Sequence, residues 1–195
     1  MIQKYPIGLQ SFRKIREGGY LYVDKTESIH PLVNSGQYYF LSRPRRFGKS
    51  LLVDTIEELF SGSRELFKGL WIEDRWNWQE KNPVLHFNFT ELDYEELGLG
   101  EALKVMIAQT AAKKGVTLTA AGLKSQFKEL IEKVSEKGQV VILIDEYDKP
   151  IIDYLDNIAK ADEHREIMGN FYSVLKGADK YIRFLLITGV SVSAK

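Results

Sequence analysis

Apolar residues recur along this chain in two rhythms. Short, largely apolar runs stand at 38–41, 84–89, 140–144 and 182–187, broken only by His86, Asn88 and Arg183, and between them apolar positions fall three and four residues apart. The runs predict strands, and the one at 140–144, mostly β-branched, predicts a strand buried on both sheet faces. Leu51, Leu52, Ile56, Leu59 and Phe60 predict a helix that opens after Gly48 and stops at Gly62. The same spacing predicts helices over about 99–114, 123–137 and 162–176, the last ending at Gly177. Upstream, 19–24 is strand-like, and Thr26 is placed to cap a short helix running through Leu32 and Val33. Residues 66–78, with Trp71, Trp76 and Trp78, read as an aromatic connection whose indoles pack rather than stack on bases. Strands alternating with helices predict an α/β fold, a parallel sheet with helices on both faces.

The run at 140–144 leads straight into Asp145 and Glu146. Open α/β sheets bind ligands at the carboxyl ends of their strands. Buried charge without a partner is costly, so two acids there call for a role. A magnesium ion held by Asp145 and a water polarised by Glu146 supply one; a solvated acidic turn is the plainer alternative.

A second motif weighs towards the first. The strand at 38–41 is followed by Gly48-Lys49-Ser50 and a helical pattern, the arrangement that grips a triphosphate. Arg45, Arg46, Phe47, Gly48, Lys49, Ser50 and Leu51 would form the cradle. Lys49 would reach the β- and γ-phosphates, and Ser50 would share the metal with Asp145. The first glycine of the general pattern is replaced by Arg43, and Pro44 removes an amide donor. Arg43, Arg45 and Arg46 can offset that loss with guanidinium forks. Thr188, at the end of the fourth strand, is either a further candidate for contact with the γ-phosphate or the attacking water, or an ordinary strand-end threonine.

Composition narrows the partners. Lysine plus arginine equals aspartate plus glutamate, 27 each, so no global charge draws the chain to nucleic acid or membrane. There is no cysteine, which excludes disulfides and thiolate metal sites. The three histidines lack ligand spacing, the first ten residues lack a signal-peptide core, and no apolar run is long enough to cross a bilayer. A cytoplasmic location is the expectation. Asp148 and Lys149 read as a surface pair in the turn after the acidic strand, with support of the site by Asp148 as the weaker alternative. Arg183, opening the fourth strand, could serve a neighbouring subunit's nucleotide or lie on the rim.

The stretches 7–26, 38–52, 66–72, 140–151 and 171–191 together resemble the predicted AAA-ATPase-like family of bacteria, with SRPRRFGKS and LIDEYDKP as the most specific elements. That resemblance implies a P-loop ATPase core with an extra strand between its two nucleotide motifs, and makes the missing glycine a family trait. It implies phosphate, magnesium, magnesium and water-activating roles for Lys49, Ser50, Asp145 and Glu146, and places 22–26 near the adenine. Many relatives continue into a nuclease-like domain. Residues 1–36 would be an extension and 37–195 the core, lacking its last strand, since relatives differ from Val192-Ser193-Ala194-Lys195 after Ser191. An uncovered strand edge and no distal arginine would then favour self-association or a partner, with slow turnover. The function expected is magnesium-dependent ATP binding and hydrolysis serving an unidentified partner. The alternatives are a nucleotide switch without turnover, or a nucleic-acid-handling protein using the arginine loop.

Overall fold

The computed structural model describes residues 4–190, so the divergence expected at 192–195 lies outside the described residues. Four parallel strands, β1 (Tyr38–Ser42), β2 (Val84–Asn88), β3 (Val140–Asp145) and β4 (Ile182–Gly189), form one sheet in the order β1-β4-β3-β2. β4 therefore lies between the strands that end in the two nucleotide motifs, and β1 is an edge among the described residues. The helices are α1 (Phe12–Glu17), α2 (Thr26–Ser35), α3 (Lys49–Phe60), α4 (Tyr94–Leu97), α5 (Leu99–Lys113), α6 (Leu123–Ser135), α7 (Lys149–Ile152) and α8 (Ile158–Tyr172).

Strand periodicity builds two cores. Val140, Ile142 and Ile144 face one layer with Phe87, Phe127 and Phe171, drawn from β2, α6 and α8. Val141 and Leu143 face the other, with Val53, Ile56, Phe60 and Phe184. Each such side chain contributes roughly 1.5–3 kcal/mol on burial, which makes β3, apolar on both faces, the spine of the fold. The tryptophans pack as expected: Trp76 meets Phe60 edge-on at 5.3 Å and Trp78 lies 5.1 Å from Phe67.

Four expectations are corrected. Residues 19–24 are not a strand; a single bridge joins Tyr20 to Lys4, because no second strand runs alongside. Thr26 does not cap α2 but lies buried in its first turn. Asp24 accepts from the Thr26 amide (2.8 Å) and hydroxyl (2.7 Å) and from the Trp71 amide (2.7 Å). Burial opposes ionisation of Asp24, but those bonds outweigh it and hold its pKa below the usual value. The last predicted helix is shifted to 158–172, with a separate 3-10 turn at Leu175–Gly177. Asp148 and Lys149 are not a surface pair: Asp148 is 2 % exposed and accepts from the Val190 amide at 2.9 Å, while Lys149 pairs with Asp153 at 2.5 Å. Arg183 packs within the chain at the amino end of β4, donating to Val33 O (3.3 Å) with its guanidinium 5.8 Å from the Phe60 ring.

Candidate nucleotide site

β1 delivers the chain to the carboxyl edge of the sheet, and the tip of β4 pins it there. The Arg43 amide donates to Gly189 O at 3.2 Å, and the Ser42 hydroxyl to Val190 O at 3.2 Å. Residues 43–48 then turn into α3. Gly48, the helix N-cap, takes φ +75°, a conformation glycine adopts without the Cβ penalty. No side chain caps α3, so its first amides are free to meet a ligand anion, favoured there by the helix dipole. Lys49 is 5 % exposed and folds over the loop, donating to Arg43 O (3.0 Å) and Pro44 O (3.3 Å).

The acidic end of β3 is held from the same side. Thr188 is 0 % exposed; its hydroxyl donates to Asp145 Oδ1 and accepts from the Glu146 amide at 3.3 Å. The Tyr147 amide donates to Thr188 O at 3.0 Å. Gly189 is required by close approach, since a Cβ there would sit 2.5 Å from a Tyr147 ring carbon and 2.9 Å from Asp148 Oδ1. The hydroxyl of Thr188 is thus engaged with both acidic residues rather than open to solvent.

Two cavities meet at Gly48, Lys49 and Leu51. A cleft of about 680 Å³ is lined by Arg45, Arg46, Ser50 and Glu146, with 7–10 forming its far wall. A second, of about 1040 Å³ and mainly apolar, extends towards Tyr22, Val23, Ile29 and Leu32, with Tyr5 and Phe47 also lining it. The structure therefore brings Arg45, Arg46, Gly48, Lys49, Ser50, Leu51 and Glu146 into one cleft, puts Phe47 in the neighbouring cavity, and leaves Asp145 behind, buried against Thr188. The wall at 7–10 was not expected as a site element, and its signal in the sequence was that it opens the first stretch carrying the family resemblance, 7–26.

The donor set suits a hard cation. Ser50 and Asp145 offer oxygens, and no group of three or more His, Cys, Asp or Glu side chains among the described residues forms a metal cage of its own. Magnesium is ordinarily held by one or two protein oxygens together with substrate phosphates, so Ser50 fits it from within the cleft. Asp145 fits by its chemistry but lies behind the cleft, with Oδ1 already bonded to Thr188. Behind β3, His86 and Glu57 pair at 2.7 Å. Burial disfavours the charged form of each, yet their mutual hydrogen bond and attraction prevail, raising the His86 pKa and lowering that of Glu57.

A family model described as Predicted AAA-ATPase matches residues 6–195. The chain belongs to this predicted AAA-ATPase family. Membership implies nucleotide binding and agrees with the P-loop-like parallel sheet. The domain is also similar to an "Uncharacterized protein in vnfD 5'region" of Azotobacter chroococcum mcd 1, 44 % identical over 199 residues. That match covers 99 % of this chain but 38 % of the relative, so the chain spans well under half of the relative's length. No solved structure matches. Among the described residues of this AAA-ATPase-like domain, no helix is long and apolar enough to cross a membrane.

Proposed function

We propose that this domain binds ATP with magnesium and hydrolyses its terminal phosphoanhydride. The observation that carries the reading is one cleft shared by the uncapped start of α3, Lys49, Ser50 and Glu146, with an apolar cavity adjoining at the same turn. The triphosphate would occupy the cleft and the base the apolar cavity. Lys49 would exchange its two carbonyl acceptors for β- and γ-phosphate oxygens. Ser50 and Asp145 would hold magnesium, which when bound draws charge off the phosphates. Glu146 would orient a water and take its proton. Thr188 acts one step back, fixing Asp145 and the Glu146 backbone together.

Calorimetric titration with ATP, with and without magnesium, tests this. Lys49→Ala should weaken ATP at least about tenfold. Asp145→Asn should remove the magnesium-dependent part of the affinity. Glu146→Gln should keep magnesium-ATP bound while phosphate release stops. Unchanged affinity in a folded Lys49→Ala protein would remove the phosphate loop from the account.

A further inference from the structure

Among the described residues, two that are not glycine hold φ in the left-handed region: Arg46 at +69° and Glu146 at +52°. Both line the cleft of about 680 Å³, one on each nucleotide motif. A side chain with a Cβ resists that conformation, which persists where the surroundings impose it and which concentrates at ligand sites. The strain at Glu146 aims a group the hydrolysis reading already uses. The strain at Arg46 has no such explanation, because the general phosphate-loop pattern leaves that position open and glycine would fit it more easily.

Arg45 lines the same cleft without that strain. Burial opposes ionisation of Asp153, but hydrogen bonds from Lys149 and Tyr94 hold its pKa below the usual value, and attraction from Lys149 and then Arg45 adds to them. Arg45 makes no ion pair with Asp153, whose partner is Lys149. Neither Arg45 nor Arg46 takes part in an ion pair among the described residues, so it is the left-handed backbone that singles Arg46 out.

We propose that Arg46 supplies, from within the chain, the positive charge that stabilises the phosphoryl group in transfer, and that its strained backbone serves to aim it. The inference rests on the hydrolysis reading above. In that step the water oxygen bonds to the γ-phosphorus while the bond from that phosphorus to the β–γ bridging oxygen breaks. The bridging oxygen departs on ADP with the electron pair, and Glu146 receives the water proton. Charge redistributes over the γ-oxygens and the leaving oxygen as this happens, and a guanidinium can donate two parallel N–H bonds to them. No arginine from a neighbouring subunit is then required.

Arg46→Gly separates the side chain from the strain. The thermal midpoint should rise by about 2–4 °C as the strain is relieved. ATP affinity, measured in a Glu146→Gln background where turnover is blocked, should change by less than about fivefold, while turnover with Glu146 intact should fall about 10²–10³-fold. Arg46→Lys keeps the charge without the fork and should give intermediate turnover with no rise in midpoint. Normal turnover in Arg46→Gly overturns this proposal and leaves hydrolysis standing. Turnover and affinity lost in equal measure make Arg46 a ground-state ligand and overturn it as well. An unchanged midpoint refutes the aiming strain. ATP bound without any turnover by the unsubstituted chain overturns the hydrolysis reading, and this inference with it.

Discussion

Thr188→Val tests the link that ties the two acidic residues to β4. Valine keeps the volume of threonine but loses the hydroxyl. The change removes a hydrogen bond to the Asp145 carboxylate, worth about 1.5–3 kcal/mol, and strips the Glu146 amide of its acceptor, worth about 1–3 kcal/mol. Because Glu146 is half-buried and water can partly replace the lost acceptor, the second figure belongs at its lower end, giving about 3 kcal/mol in all. At about 2–4 °C per kcal/mol for a domain of this size, the thermal midpoint should fall by about 6–12 °C. Thr188→Ser keeps both bonds and loses one buried methyl, about 1 kcal/mol or about 2–4 °C. Scanning calorimetry compares the two, and titration with magnesium-ATP should show the valine variant losing affinity that the serine variant keeps. A valine variant melting within about 2 °C of the serine variant would show that the hydroxyl bonds contribute nothing, and the reasoning would fail.

Two further outcomes follow from the same edge and the pair behind it. Gly189→Ala should displace Tyr147 and Asp148 and cost about 1–3 kcal/mol, seen as a lowered urea midpoint; a wild-type midpoint would show that the ring yields freely. The His86–Glu57 pair gives stability a pH window. The raised His86 pKa contributes fully below its ordinary 6.5 and is lost as pH climbs through the folded value, while the lowered Glu57 pKa contributes fully above its ordinary 4.5 and is lost as pH falls. From about pH 6 to about pH 8 the melting temperature of the unsubstituted chain should therefore fall relative to His86→Gln, and parallel curves would refute the pair's contribution.

Local chemistry made β3 legible, because five apolar residues in a row have no other economical use in an α/β chain. The loop at 43–50 was legible for a related reason: few uses of a strand, a Gly-Lys-Ser turn and a helix compete with anion binding. Strand order was not legible from pattern, since in a parallel sheet it is set by how crossover helices pack; only the family resemblance pointed to an extra strand. Residues 19–24 misled because tyrosine and valine favour strands, yet a strand exists only with a partner. Here Tyr22 turns its edge to Phe12 at 5.1 Å instead. Asp148 misled in the opposite sense. A charge after a strand reads as solvated until the tip of β4 closes over it, and the left-handed turns at Arg46 and Glu146 leave no trace in residue type at all.

The placement of β4 has a mechanical consequence. A pull on the chain beyond Val190 would load a strand clamped on both sides, so that it must shear against β1 and β3 together. The first bonds to bear tension would be those that Ser42, Arg43 and Asp148 make with Gly189 and Val190. Those bonds also set the spacing between the phosphate loop and the acidic strand end. Traction at this point and the geometry of the cleft would share one hinge of hydrogen bonds, so a tug there would reach the cleft before it reached either core.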